Sequence, residues 1–296
     1  MSSATIPVQA SDERARSGSA LTDAVTFSFA DPVSELYGLA RLGLSGSGDA
    51  RRGSVLAVLF SGRTPVTAVA QGDIPVAADA DWQALSLPGL AATVEAPLER
   101  WSVRLAGERD GFALSFTAAS PPAGHEEVGG MVGYEQLCRV RGEVAIEDRV
   151  VAIDCAGQRG HSWGAPDWRR LDAVHTVAAW LQDGSGAAVQ VAREAGAKGH
   201  GAAARWGALL GAGGAVALDD PRVSTTYDGA GRQRRAGLEL WEAEDEAGFE
   251  AVHRAAGTVI CGSTLELGQL RLDCAFMRWT MEGVAGVGRY DVLRRA

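Results

Sequence analysis

Along most of this chain apolar and polar residues alternate with a period of two, in short runs broken by Gly, Pro, Asp and Ser. That period places successive side chains on opposite faces of an extended strand, so the pattern demands β structure. Residues 25–29 and 35–44 alternate, 46–53 read as a turn, 54–60 form a nearly unbroken apolar run, and 67–71 follow the break at Arg63-Thr64-Pro65. Three more strands are expected at 90–95, 99–105 and 111–118, the last two joined by the hairpin turn Gly107-Glu108-Arg109-Asp110-Gly111. In the middle one Trp101, Val103 and Leu105 share a face and Arg100 and Arg104 the other, one side for a core and one for water or a lumen. Strands at 133–144, 150–156, 171–181, 187–192, 238–242, 258–265, 270–281 and 288–293 complete the series. His175, Val177, Ala179 and Leu181 share one face, as do Arg271, Asp273, Ala275, Met277, Trp279 and Met281. Residues 194–218, dominated by Ala and Gly, are the least patterned, with a short helix expected at 202–210. With no sequence repeat and no alternation of strand and helix signals, the fold class is all-β and mainly antiparallel, a sandwich or barrel.

The length of 296 residues permits one large domain or two of about 150. Ser120-Pro121-Pro122-Ala123-Gly124 is the best linker, because two prolines cannot sit inside a sheet ladder. It divides the chain into a tail at 1–22 read as disordered, an N-terminal domain at 23–122 and a C-terminal domain at 123–296. The chain opens on Ser, Ala and charged residues instead of a basic start and an apolar run, so no signal peptide is expected. No run approaches the roughly 18 apolar residues of a membrane helix, and the expectation is a cytoplasmic protein without a membrane span. A formal charge of −9 argues against a nucleic-acid partner, and the basic cluster Arg232, Arg234 and Arg235 reads as a solvated loop. Cys138, Cys155, Cys261 and Cys274 lack CxxC spacing and read as small buried residues rather than a disulfide frame or a zinc site. Self-association as a homodimer stays open.

Chemistry-bearing side chains concentrate in Gly157-Gln158-Arg159-Gly160-His161-Ser162-Trp163-Gly164-Ala165-Pro166-Asp167-Trp168. An imidazole can hold or release a proton near neutral pH, and Asp167 would be a general acid if an apolar pocket raised its pKa. Trp163 and Trp168 offer π faces for a flat apolar ligand or a passing cation. Arg159 and Arg169 can orient a carboxylate or hold an anion. Tyr134-Glu135-Gln136 is a second constellation, with Tyr134 as hydrogen-bond donor and Glu135 expected to point into the same cavity. Trp101, Tyr227, Trp279 and Tyr290 are candidate cavity walls, with core packing the competing reading for each. The competing reading of His161, Trp163 and Asp167 is a hydrogen-bonded corner where one strand leaves a barrel. Other chemistries find no support: Gly211-Ala212-Gly213-Gly214 lacks the Lys-Ser/Thr of a phosphate loop, the five histidines are scattered singly, and Ser162 is not in a Gly-x-Ser-x-Gly elbow. No metal and no cofactor is implied.

The segment 157–168, with the flanking Gly133-Tyr134-Glu135-Gln136, resembles the carotenoid 1,2-hydratase and AttH-like family, whose signature reads Gly-x-Arg-Asp-His-Ser-Trp-Gly-x-Arg-Asp-Trp. The resemblance covers most of the chain from about residue 25. It implies two lipocalin-like antiparallel β-barrels and a cavity for a small hydrophobic molecule, an isoprenoid or polyene. It also implies proton-transfer chemistry, hydration or cyclisation, with ring closure by substrate shaping or a non-catalytic carrier as alternatives. Carried over by position, His161, Trp163, Asp167 and Trp168 line the pocket, with His161 or Asp167 as acid-base group and Tyr134 and Arg159 assisting. The sequence departs from that signature at Gly160, which stands where the family has Asp.

Overall fold

The computed structural model describes residues 5–244, 248 and 250–296. Alternation dictates the architecture: antiparallel strands, with 3-10 turns at Ala10–Glu13, Gly48–Ala50 and His200–Ala202, make up two compact units. One unit comprises Pro7–Pro122 with Gly133–Ala165; the other comprises Met1–Ile6, Ala123–Val132 and Pro166–Ala296.

The first unit holds β1 (Gly18–Asp31), β2 (Leu36–Gly46), β3 (Arg52–Ser61), β4 (Thr64–Pro75), β5 (Ala84–Leu87), β6 (Leu90–Ala96), β7 (Arg100–Ala106) and β8 (Gly111–Ala118). After β9 (Ala123–Val128), which belongs to the second unit, β10 (Met131–Ile146) and β11 (Arg149–Gly164) return to it. The strand order is β4-β3-β2-β1-β11-β10-β8-β7-β6-β5, so the two late strands fill the middle of the sheet. The sheet winds until Val55 and Leu59 of β3 share one core with Leu85 and Leu87 of β5, making a nearly closed barrel. Alternate residues supply that core, as Val25, Phe27 and Phe29 from β1, Trp101, Val103 and Leu105 from β7, and Cys138, Val140 and Val144 from β10.

The second unit is a closed barrel of consecutive strands: β12 (Leu171–Leu181), β13 (Gly186–Glu194), β14 (Ala204–Gly211), β15 (Gly214–Tyr227), β16 (Gln233–Glu242), β17 (Val252–Leu267), β18 (Leu270–Met281) and β19 (Val284–Arg295). Pairing of β12 with β19, Val177 opposite Tyr290, closes it and leaves no open edge. Val177, Ala179, Met277, Trp279 and Tyr290 meet in its interior. Gly257 is required there, because a Cβ would fall 2.6 Å from the Trp279 ring.

Three expectations are corrected. The tail expected to be disordered is built into the first unit from Pro7 onward, and Glu13 is buried. The linker at Pro121-Pro122 is not a single boundary, since 133–165 return to the first barrel. The helix expected at 202–210 is strand β14, in which Trp206, Ala208 and Leu210 alternate as buried residues. Alanine's helix propensity there yields to cross-strand pairing with β13, Ala208 opposite Ala188. All four cysteines are buried and none is in a disulfide, and burial pushes the thiols of Cys138, Cys155 and Cys274 up to about 12. Among the described residues no helix is long and apolar enough to cross a membrane.

Candidate functional site

Strand parity selects which members of the 157–168 segment meet. Ile153 and Cys155 of β11 belong to the core of the first barrel, so Arg159, His161 and Trp163 face the same interior, while Gln158, Gly160 and Ser162 face the other way. β1 runs antiparallel beside it, with Phe27 opposite Arg159, Val25 opposite His161 and Asp23 opposite Trp163.

His161 sits among rings. Trp163, Tyr134 and Trp82 lie edge-on to it, with centroids at 5.2, 5.7 and 5.9 Å. Its Nε2 is 2.5 Å from Asp23 Oδ1, and both side chains are fully buried. The second oxygen of Asp23 accepts hydrogen bonds from Trp82 Nε1 at 3.2 Å and from the Arg16 backbone N–H at 2.6 Å. Asp23 therefore fixes the orientation of the imidazole, and Nδ1 is left without a partner among the described residues. The Arg16 guanidinium lies 3.4 Å above the half-buried Trp163 ring and is tied back to Asp12, so the N-terminal segment covers this end of the barrel.

Deeper in, Glu13 carries a second network. Its Oε1 accepts from Trp101 Nε1 and Tyr134 OH, each at 3.0 Å, and pairs with Arg159 Nη1 at 2.5 Å; its Oε2 accepts from the Leu98 backbone N–H at 2.7 Å. Arg159 Nη1 also donates to Tyr134 OH at 3.0 Å, while its Nε and Nη2 are buried without a partner among the described residues. Burial pushes the Tyr134 phenol far above its ordinary pKa, with the nearby Arg159 guanidinium only partly offsetting this, so Tyr134 acts as a neutral donor. A carboxylate with four donors is well compensated, and that is what permits a charge in this interior.

Glu135 does not share this space. It follows Tyr134 on a strand, and period two turns it to the opposite face, where its Oε2 accepts from Gln158 Nε2 at 2.6 Å. A Cβ at position 160 would lie 2.6 and 2.7 Å from the Glu135 carboxylate oxygens, so Glu135 fills the room a side chain at 160 would need. The glycine thus removes no acid from around His161, because residue 160 faces away from it.

Asp167 is corrected as well. It is half-exposed in the turn after β11, and hydrogen bonds from the Arg169 side chain and backbone hold its carboxyl below the ordinary range, opposite to the raised acid expected. Trp168 is half-buried in that turn, and Arg169 is exposed. Tyr227 and Trp279 belong to the second barrel: Trp279 packs its core, and Tyr227 lies half-exposed at one of its ends. Trp101 does stand in the first barrel beside Arg159. Sequence reading overlooked Asp23, Trp82, Arg16 and Glu13. Asp23 carried a signal, being a carboxylate in phase with Val25, Phe27 and Phe29 on the core face of β1; the others are placed only by tertiary folding.

Residues 10–296 match the family described as Domain of unknown function (DUF7064), and the chain belongs to that family. No curated protein matches it. Its fold is similar to that of a Nitrosomonas europaea protein provisionally named AttH, at 12% identity and a TM-score of 0.68, with 93% of this chain and 92% of that one covered. Kievitone hydratase from Nectria haematococca matches at 10% identity and a TM-score of 0.68, covering 97% and 93%. CghA, in a structure with Sch210972, matches at 14% identity and a TM-score of 0.65, covering 94% and 89%. At such identities the likeness shows a shared fold of two β-barrels.

Proposed function

We propose that this DUF7064 protein is an enzyme acting on a small hydrophobic molecule by proton transfer at His161. The reaction class is hydration or cyclisation of an isoprenoid-like or polyene substrate. The observation that carries the reading is the buried His161–Asp23 pair, with Nδ1 unpartnered inside an enclosure of three rings. A histidine whose Nε2 is held by a carboxylate has a defined tautomer and presents Nδ1 for proton exchange. In hydration, the doubly protonated ring, its Nε2–H held by Asp23, would donate the Nδ1 proton to an alkene carbon and be left neutral. Water would add to the resulting cation and return a proton to Nδ1. The faces of Trp82 and Trp163 would stabilise the cation, and the dry surroundings would strengthen every interaction with it. The unpartnered nitrogens of Arg159 offer donors to an oxygen on the substrate. Access requires the segment from Asp12 to Arg16 to lift from Trp163.

The hydratase name of one structural relative, and the Sch210972 bound to another, fit a small-molecule role of this kind. The test is turnover of isoprenoid and polyene candidates in deuterium oxide, read by mass. Wild type should place solvent deuterium on carbon. His161→Asn and Asp23→Asn should each lose at least about a hundredfold in rate, and Asp167→Asn should keep its rate. Product that forms without label, at unchanged rate in both variants, would replace this reading with ring closure by substrate shaping. Tight retention of unaltered candidates would make the protein a carrier.

A further inference from the structure

The second barrel has a polar end that the reading above does not use. Parity turns His175 of β12, Arg193 of β13, Thr225 and Tyr227 of β15, Tyr290 of β19 and Asp273 of β18 to the interior beyond the apolar layer formed by Val177, Val189, Met277 and Trp279. His175, Arg193, Thr225 and Tyr227 border a cavity of about 380 Å³, lined also by Val191 and Val223 and by Ala197, His200 and Ala203 of the connection between β13 and β14. That volume lies within the range of small-molecule pockets, roughly 300–1,000 Å³.

The polar groups form two sets. Tyr290 OH is a hub, 2.8 Å from His175 Nδ1 and 2.6 Å from Thr225 Oγ1. With Nδ1 engaged, the ring nitrogen left for a ligand is Nε2. The second set is cationic. Arg271 and Arg294 share the single carboxylate of Asp273 at 2.9 and 2.5 Å, Arg193 pairs with Asp172 at 2.8 Å, and Asp220 takes Arg205, Arg222 and His200 together. In these pairs five guanidinium groups meet three aspartates, although the chain as a whole carries a formal charge of −9. His175 registers that field: burial first, then the charges of Arg193 and Arg294, lower its pKa to about 4, so the imidazole stays neutral beside them.

We propose that this end of the second barrel binds a small organic anion, a carboxylate carried on an apolar body, at a site separate from His161. Arg193, the Tyr227 phenol and His175 Nε2 meet the polar head, and Val191, Val223, Ala197 and Ala203 take the body. Cationic surplus selects an anion over a neutral lipid, and apolar walls select an organic acid over an inorganic ion.

The test is fluorescence titration of the full chain with anilinonaphthalene sulfonate, a compact aromatic anion, and with uncharged phenylnaphthylamine, followed by displacement with decanoate. The sulfonate should bind about tenfold tighter than the amine, a difference of about 1.4 kcal/mol, and decanoate should displace it. Arg193→Gln should erase the preference for the anion. Val223→Trp should abolish binding of both probes by filling the cavity. If that variant does not fold, Ala203→Trp, in the connection outside the barrel wall, carries the same expectation. Equal affinity for the two probes, failure of decanoate to displace, or undiminished binding in a folded Trp variant would overturn the proposal.

Discussion

A Cβ at position 160 would collide with the Glu135 carboxylate, so Gly160→Asp should not restore an acid to the site. It would set a second carboxylate against a buried one, and the expected cost is about 2–4 kcal/mol of unfolding free energy. Glu135→Ala in the same chain should recover a large part of that loss, a coupling readable by urea denaturation of the four variants. His175 gives a pH prediction of defined sign. Its folded pKa of about 4 lies below the ordinary 6.5, so between these values the unfolded chain binds the extra proton and stability falls on acidification. The loss from this group is at most about 3.4 kcal/mol. Buried His125, also lowered by its burial, acts in the same direction. His253, raised because its hydrogen bonds to Glu242 and Glu282 outweigh desolvation, acts in the opposite one. His175→Gln should flatten the stability profile between pH 6.5 and 4 relative to wild type; an unchanged slope would remove His175 from the account. Of the residues in these two arguments, His175 was legible as an inward position by period two, but its partner Tyr290 lies on another strand and only the closed barrel joins them.

Among the elements, the N-terminal segment has the largest consequence for its size. The 3-10 turn Ala10–Glu13 delivers into the barrel one carboxylate that accepts from Tyr134 and Trp101 and pairs with Arg159. Glu13→Ala should cost about 3–5 kcal/mol, because it leaves a buried guanidinium uncompensated. Replacing both partners, Glu13→Leu with Arg159→Met, should cost clearly less than the sum of the single changes. Thermal or urea unfolding decides, and additive losses would mean that the pair does not couple. The sequence offered no periodic signal across residues 7–17, because a segment that crosses the end of a barrel has no repeating face. β11 shows the opposite case. It runs to Gly164, past the strand expected at 150–156, so period two extends over Arg159, His161 and Trp163 and puts them on one side; the same rule, applied to β10, separates Tyr134 from Glu135.

At the scale of the molecule the chain order and the spatial order differ. A fragment 1–122, cut at the proline pair, lacks β10 and β11, which stand between β1 and β8 in the first sheet. It should fail to fold, read as loss of the sheet spectrum in circular dichroism or as insolubility; a folded fragment would show that the late strands are dispensable. The sequence by itself determined the all-β class and the alternating faces of strands such as 99–105 and 171–181, because alternation is a local property of extended backbone. Only the tertiary structure decided that Asp23 and Glu13 are the carboxylates paired with His161 and Arg159, that Asp167 and Glu135 lie elsewhere, and that Trp279 belongs to a different core. Those facts depend on which strands become neighbours, and neighbour choice is set by burial and register across the whole sheet, where residues more than a hundred positions apart come within a hydrogen bond of each other.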